Sequence, residues 1–583
     1  TYSDDRVLFG KPSGHGLLLM TYDKVSHASF TISGSFDGYK EIKLDFDKAQ
    51  HEYLSFIESL TGLTFKHPKY QEELDQLTNL TSWYTYQALI HFASPHGLEQ
   101  SNGAAWGTRD VSQGPVELFL SAQRFDLIRM ILLKVFSRQF IENKEFPQWF
   151  MFDEYYTIQA HESHGDVIAW PIKVLGDYLE ATKDYGILKE KVPFMSKEKN
   201  TWVRHDATLY DHLVETLNAI EDSFIEGTSL PAYGGGDWDD TLQPANKKLT
   251  DHMVSGWTPL LIYQGLKTLS QELTKDPIYT RLVSMQENLL RDYHRLLVRD
   301  NIPAGFIIVE ENGVEYLLHP QDKNTGLKYR LLPLTRGIIS EAFSQPIAEN
   351  NKRLIDQYLK HPDGVRLMDT AVTYRGGEKT YFQRAETAAN FGREIGILYV
   401  HAHIRYIEAM AKLGYKDEAY QGLFTISPID IKSHVKNALP RQSNMYFSSS
   451  DANFYDRYEA KKNFDLVRNG AIGVKGGWRL YSSGPGIYIN QLVRNVLGIK
   501  IKHNHLVLDP VLPQKLDGLQ ITYHYQQKPL RITYRFGKED YVKVNGDKIQ
   551  AIHIHEKYRK GGYIIDHKHL DPLKEIDIEI SIK

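Results

Sequence analysis

Three carboxylates crowd into four consecutive positions of the stretch YGGGDWDDTL, residues 233–242: Asp237, Asp239 and Asp240, with Trp238 between them. If they line a cleft, like charges against a low-dielectric wall cannot all ionise freely. At least one carboxyl is then pushed up and can serve as a general acid near neutral pH. The indole offers a flat ring for stacking on a sugar, and the three glycines leave bare backbone where a ligand can come close. The same composition also suits an acidic solvent loop.

Two other stretches carry residues of complementary type. NGAAWGTRDVSQGP, residues 102–115, holds Arg109 beside Asp110, a donor and an acceptor that can grip neighbouring sugar hydroxyls or simply pair in a loop. SSGPGIYINQLVRNVLG, from 482, places Ile489, Leu492, Val493 and Val496 at helical spacing, so Ser483 and Gly484 fall at a helix start. Free backbone N–H groups and the helix dipole there favour an anion such as phosphate, although every helix has such an end. Histidines recur in pairs: 161 with 164, 401 with 403, 503 with 505, 553 with 555 and 567 with 569. Most are expected to be solvated or internally satisfied. Neither a G-x-x-x-x-G-K-[ST] loop nor an H-E-x-x-H helix occurs, which argues against a nucleoside triphosphatase and a zincin.

The elements that must position these residues follow a β, α, β order. HASFTISGSF and YKEIKLDF, within residues 27–46, alternate apolar and polar residues as strands do. From about 48 to 500 the spacing is mostly helical. YDHLVETLNAIEDSFIEG predicts a helix with Leu213, Leu217, Ile220 and Phe224 on one stripe, ending at Gly227. GPVELFLSAQRFDLIRMILLKVFSRQF and NFGREIGILYVHAHIRYIEAMAKLG are so apolar that buried helices are expected throughout both. Many helices in series with no fixed repeat suggest a helical toroid. After about 503, HLVLDPVLPQKLDGLQITYHYQQKPLRITYRF returns to strands.

The 583 residues suffice for two to four domains. A net charge of −4 gives no bulk attraction for nucleic acid, the absence of cysteine excludes disulfides and thiolate metal sites, and no apolar run of membrane-spanning length occurs. The first ten residues lack the basic and apolar regions of a secretory leader, which points to the cytoplasm. They also lack a starting Met, as expected of a processed chain or a fragment.

In their order, these stretches resemble glycoside hydrolase family 94, the inverting glycoside phosphorylases, over residues from about 80 to 520. The resemblance implies a mainly α fold: an (α/α)6 catalytic barrel over 80–502, with a helical linker at 46–79. Residues 1–45 would be the last strands of an incomplete N-terminal β-sandwich, and 503–583 a C-terminal β jelly-roll-like domain. DWDD matches the family's DWND element, which makes Asp240 the general acid and puts Trp238 and Asp237 in the sugar site. Arg109 and Asp110 match the pair that grips the sugar whose bond is cut. HGDVIAWP matches a barrel segment and brings Asp166 and Trp170. REIGILYVH keeps the spacing of eight between a basic-Glu pair and a phosphate-binding histidine, giving Arg393, Glu394 and His401. Ser483 and Gly484 match a Thr-Gly pair beside the phosphate.

The sequence departs from the family where Gly114 replaces a second acid, Arg393 a lysine and Ser483 a threonine. These changes look like the branch acting on β-1,2-linked gluco-oligosaccharides. The implied reaction is reversible, inverting phosphorolysis to α-glucose 1-phosphate, with inorganic phosphate as co-substrate, no cofactor and no metal. Oligosaccharide and phosphate are the implied partners, with no nucleic acid and no membrane; a second copy of the chain and an N-terminal sandwich portion are candidates. Two alternatives stand beside it. One is an inverting β-glucan hydrolase on the same barrel, which needs a base such as Glu394, Asp166 or Glu162. The other is a carbohydrate-binding protein without catalysis.

Overall fold

The computed structural model describes residues 2–4, 11, 18–30, 38, 45–93, 105–389, 391–392, 395, 398–477 and 483–583. It divides into two compact units, Thr1–Ser55 and Phe56–Lys583, and the division falls inside the helix Phe46–Thr61. In the first unit the strands Tyr2–Asp4 and Leu18–Met20 pair antiparallel. His27–Phe30, expected to begin a strand, is irregular, and the rest of that expected strand lies outside the described residues. Of the second expected strand only Asp45 and Phe46 are described, and Phe46 opens the helix.

The second unit is mainly helical, and its helices sort by how much of their circumference is covered. Every residue of Gly114–Ser121, Leu331–Ile339 and Gly484–Asn490 is buried. Tyr279–Leu296 buries only Leu282, Met285, Leu289, Asp292 and Tyr293. A helix apolar all round needs neighbours on all sides, whereas one with a single apolar face sits outside. The packing follows that rule. Gly114–Ser121 packs on Phe125–Phe136, which packs on Ala169–Thr182, then Thr258–Glu272, Leu331–Ile339, Val400–Leu413 and Gly484–Asn490. This last helix returns to Gly114–Ser121, so the sequence of neighbours closes on itself.

Local chemistry sets the helix ends, and several differ from the sequence expectation. Leu209–Asp222 starts at a capping box in which Thr208 and Asp211 bond each other's backbone N–H, and it buries Leu213, Leu217 and Ile220. It stops before Phe224 and Gly227. The apolar run 114–140 is two helices, broken where Gln123 takes φ 57°. Within the run 390–414 the helix Val400–Leu413 is described, and Leu398–Tyr399 before it is a strand paired with Ser449–Ala452; residues 390, 393–394 and 396–397 lie outside the described residues. The predominantly helical stretch also contains a three-stranded sheet of Met253–Ser255, Phe306–Glu310 and Gly313–Leu317.

C-terminal strands form two sheets. One runs Ile499–Lys502, His505–Leu508, Lys560–Ile565, Ile552–His555. The other has six strands, with Lys528–Arg535 and Ile576–Ser581 parallel at its centre and Thr64–Lys66 at one edge. The expected helical linker therefore lends a strand to this sheet. Two-residue turns with both φ positive, His503-Asn504 and Gln526-Gln527, join neighbouring strands, matching the twist of a tight hairpin. The first turn docks on a helix end: His503 and Asn504 donate their backbone N–H to Glu180 and Ala181 carbonyls at 2.7 and 3.0 Å. Those carbonyls otherwise lack intrahelical partners.

Buried His403 illustrates how the core treats titratable groups. Its Nε2–H donates to the Gly422 carbonyl at 3.0 Å and its Nδ1 accepts the Val365 N–H at 3.2 Å, a pattern only the neutral ring can make. Burial pushes its imidazolium down to about 4. Above the ordinary value of about 6.5 the ring is neutral in both folded and unfolded chains and contributes no pH dependence. Between 6.5 and about 4 the unfolded chain binds a proton that the folded chain refuses, so stability falls as pH is lowered. Denaturation midpoints measured from pH 7 to 4.5 should therefore decline, and His403→Gln should make the slope shallower by about 1.4 kcal/mol per pH unit. An unchanged slope in the variant would show that His403 titrates normally.

Candidate active site

Arg109 lies on the short helix Thr108–Val111, directly after the strand Trp106–Gly107. Thr108 fixes that helix by donating its hydroxyl to the Pro147 carbonyl at 2.6 Å. The Arg109 guanidinium is buried and three groups converge on it. Nη1 donates to Asp166 Oδ1 at 3.4 Å and to the Asp237 carbonyl at 3.0 Å; Nη2 donates to Asp240 Oδ1 at 3.0 Å. Asp110, half-buried, adds to the field that keeps Arg109 charged.

The acids of the DWDD stretch have separate environments. Asp237 is fully buried and takes both oxygens to Arg330 Nη2, at 2.8 and 2.9 Å, and the Ser255 hydroxyl at 2.6 Å. Asp166 is equally buried; its second oxygen accepts the Nε1–H of Trp170, the second residue of the helix Ala169–Thr182, at 3.1 Å. Both were expected to bind sugar. Their engaged oxygens make them anchors for Arg330, Arg109 and Trp170 in this arrangement. Asp239 is buried with Oδ1 on Thr241 and without a partner for Oδ2 among the described residues. Only Asp240 reaches solvent appreciably, with 34% of its side chain exposed.

Where the pKa values move is also not as the stretch alone implied. Burial pushes Asp239 up to about 6, and pushes Asp166 up as well. Burial would raise Asp240 too, but Arg109 and then His164 overcome it and hold this carboxyl well below the usual carboxylate range. The raised acids are therefore the enclosed ones, and the accessible acid is ionised while Arg109 faces it.

Two of the three glycines also serve the fold. Gly234 and Gly236 take φ 60° and 138°, conformations open to glycine. They turn the chain against His164-Gly165, where a Cβ on Gly165 would lie 2.6 Å from the Tyr233 carbonyl. That approach delivers His164, seen in the sequence only as half of a histidine pair. Gln243 donates to its Nε2 at 3.0 Å, so the ring proton sits on Nδ1, 3.3 Å from Asp240 Oδ1.

A second cluster lies one ring away. His401 Nε2 and the Ser483 hydroxyl are 2.9 Å apart, and His401 Nδ1 meets the Tyr446 hydroxyl at 3.1 Å. Tyr399 stacks on His401 with centroids at 4.9 Å. Trp238 stands edge-on to both, at 5.3 and 5.9 Å, and stacks near Trp257 at 6.2 Å. Trp238 is 8% exposed, so the expected open platform is mostly enclosed by other rings. Burial, then Arg405, His91 and Arg109, push His401 down to about 3. It therefore stays neutral near pH 7.

Gly484 has no room for a side chain: a Cβ would sit 2.1 Å from the Tyr446 hydroxyl. Gly114 would meet Ser483 Cα at 2.5 Å, and Gly486 would meet the Gly114 carbonyl at 2.1 Å. The absent second acid at 114 thus has a steric reason, because any side chain there displaces Ser483. Arg393 and Glu394 lie outside the described residues. Arg330, Ser255, Tyr446 and His164 were missed, and for the first three no local motif marks them.

Residues 59–446 match the model of the glycosyl hydrolase 94 superfamily catalytic domain, and residues 498–582 match a glycoside phosphorylase C-terminal domain. The chain therefore belongs to the glycosyl hydrolase 94 superfamily. It is 49% identical to a 1,2-β-oligoglucan phosphorylase of Listeria innocua, over 95% of this chain and 51% of that protein. It is 23% identical to a cyclic β-(1,2)-glucan synthase of Rhizobium meliloti, over 75% of this chain and 15% of that one. It is also 23% identical to a cellobionic acid phosphorylase of Neurospora crassa, over 66% of this chain and 46% of that one. The chain spans about half, or less, of the length of these curated relatives.

Two tests follow from this geometry. Asp237→Ala leaves the Arg330 guanidinium buried without its anion. Breaking a buried pair from one side costs about 3–5 kcal/mol, so urea denaturation should show a loss of that size. A loss under about 1 kcal/mol would mean Arg330 finds another partner. Separately, Arg109→Gln removes the main attraction on Asp240. The Asp240 carboxyl should then titrate at a higher pH, read by carbon NMR of labelled aspartate.

Proposed function

We propose that the protein is a glycoside phosphorylase that cleaves β-1,2-linked gluco-oligosaccharides with inorganic phosphate, inverting the anomeric centre. One observation carries this reading. The buried His401–Ser483 pair, 82 residues apart in sequence, packs against Trp238, two residues before the Asp240 that meets Arg109. A water-using hydrolase needs an acid and a base, but no cluster of neutral donors. A phosphate needs donors on its oxygens, and a His401 Nε2–H pointed at Ser483 leaves the Ser483 hydroxyl proton to supply one. The similarity to a 1,2-β-oligoglucan phosphorylase supports the substrate class.

On this reading phosphate oxygen attacks the anomeric carbon from the face opposite the leaving sugar. The glycosidic C–O bond breaks, Asp240 gives its proton to the leaving oxygen, and α-glucose 1-phosphate and a shortened oligosaccharide result. Asp240 must first acquire a proton, and Arg109 opposes this while it faces the carboxylate. Sugar hydroxyls that draw the guanidinium towards themselves, with Asp110, relieve that opposition as substrate binds. On the family resemblance, Arg393 would serve the phosphate and Glu394 the sugar. Six helices of that ring, all but the part-exposed Phe125–Phe136, are read as the inner layer of an (α/α)6 barrel, with the acid cluster at one mouth, and the C-terminal sheets as its jelly-roll-like partner. No cofactor or metal enters. The charged sugar phosphate does not cross membranes unaided, which fits a cytoplasmic enzyme; among the described residues no helix is long and apolar enough to cross one. The hydrolase alternative loses ground because Asp166 is committed to Arg109 and Trp170 and is in no position to activate water.

The decisive assay is incubation with β-1,2-gluco-oligosaccharides, with and without phosphate. Sugar 1-phosphate should form only with phosphate. Asp240→Asn should lower the rate by about 10² to 10⁴, and less for substrates with good leaving groups. His401→Ala should raise the apparent KM for phosphate far more than that for the oligosaccharide. Free sugar released at full rate in phosphate-free buffer overturns the proposal.

A further inference from the structure

The C-terminal sheet carries a second cluster of chemically competent side chains. Strand His505–Leu508 pairs antiparallel with Lys560–Ile565, with Leu506 opposite Ile565. His505 precedes that pair on one strand and Asp566 follows it on the other, so the ladder itself sets them across from each other. His567 comes next, at the start of a short turn. His505 Nδ1 and His567 Nδ1 are 3.2 Å apart, His567 Nδ1 and Asp566 Oδ1 3.2 Å, and His505 Nδ1 and Asp566 Oδ1 3.6 Å.

From these distances we infer a zinc site formed by His505, Asp566 and His567. A tetrahedral zinc ion with bonds of about 2.0–2.2 Å to nitrogen and oxygen separates its ligands by about 3.3–3.6 Å. All three separations are close to that edge. Without an ion, a proton on His567 Nδ1 shared between His505 Nδ1 and Asp566 Oδ1 holds the three together. With neutral rings, three acceptor positions converge and at most one ring proton per imidazole is available to share. A divalent cation satisfies all three, while His567 moves its proton to Nε2. That atom is 3.9 Å from Asp571 Oδ2, so a small shift would let the carboxylate accept its N–H, as is common behind metal ligands. Imidazole nitrogen selects zinc over magnesium or calcium. The three side chains are partly exposed, which gives an ion access and leaves the fourth position to water.

Competing contacts are modest. His505 Nδ1 also accepts the His567 backbone N–H at 3.2 Å, and Asp566 Oδ1 accepts the Lys568 N–H at 3.0 Å. Among the described residues no other group of three or more such side chains brings its donor atoms together. The ion would tie the ends of two strands and take no part in the proposed phosphorolysis, so this inference does not rest on that reading and departs from the expectation of a metal-free chain.

The test is isothermal titration of the chelator-treated full chain with zinc, alongside thermal melts. One zinc per chain should bind, and it should raise the melting temperature. His505→Ala and His567→Ala should each weaken binding by at least about tenfold, the smallest loss seen even for an outer partner of a metal ligand, and should abolish the rise. His553→Ala/His555→Ala, a neighbouring ring pair at 4.9 Å, should bind zinc as the parent does. No saturable uptake by the parent overturns the site. So does uptake that survives both single substitutions, or uptake lost only in the His553 and His555 variant.

Discussion

A guanidinium buried at the centre of the candidate site constrains everything around it. Removing a charge from water costs several kcal/mol unless anions and acceptors replace the lost hydration. Arg109 obtains two carboxylates and a carbonyl, from Asp166, Asp240 and Asp237. These come from two segments far from Arg109 in sequence, so the cation organises the site only if the fold first brings all three together. In return it decides the state of Asp240. Under the proposed mechanism the proton donor is held ionised until something competes for Arg109, and a polar substrate is a natural competitor.

A second layer keeps the first in place. The Arg330–Asp237 pair, with Ser255 on the same carboxylate, fixes the loop that carries Trp238 and Asp240. Arg330 also stacks over Phe306, with its guanidinium carbon 4.4 Å from the ring centroid. On the other side, Gly114 and Gly486 let two fully buried helices approach closely enough for Ser483 to meet His401. Neither feature needs to touch a ligand. Each fixes a distance that a loop by itself leaves free.

The C-terminal sheets also close off helix ends. Besides the hairpin on Glu180 and Ala181, the Tyr523 hydroxyl donates to the Ser121 carbonyl at 2.9 Å and Gln123 donates to the His524 carbonyl at 2.9 Å. Asp509 holds Arg559 through both oxygens, at 2.7 and 2.6 Å. Carbonyls at helix ends that water would otherwise solvate are thus tied to strands, which joins the sheets to the helices Gly114–Ser121 and Ala169–Thr182.

What the sequence determined by itself is what one or two turns of chain can encode. The capping box at Thr208 and Asp211, the stripe of Leu213, Leu217 and Ile220, and the alternation in the last strands are all local patterns with a fixed period. The acid stretch, the Arg109-Asp110 pair and Ser483-Gly484 were legible because neighbouring residue types announce chemistry, and the family resemblance rested on their order. Tertiary structure decided the rest. Arg109 and Asp240 are 131 residues apart and Asp237 and Arg330 are 93 apart. Whether an aspartate is raised or lowered depends on which of these cations reaches it, and no spacing records that. The glycines of 233–242 looked like an opening for ligand, and the fold also uses two of them for a turn against Gly165. The histidines of the last strands looked solvated, yet the ladder sets His505 beside Asp566 and His567. Side-chain direction and burial arise only when distant segments pack, because electrostatic and steric energies depend on distance in space and not on distance along the chain.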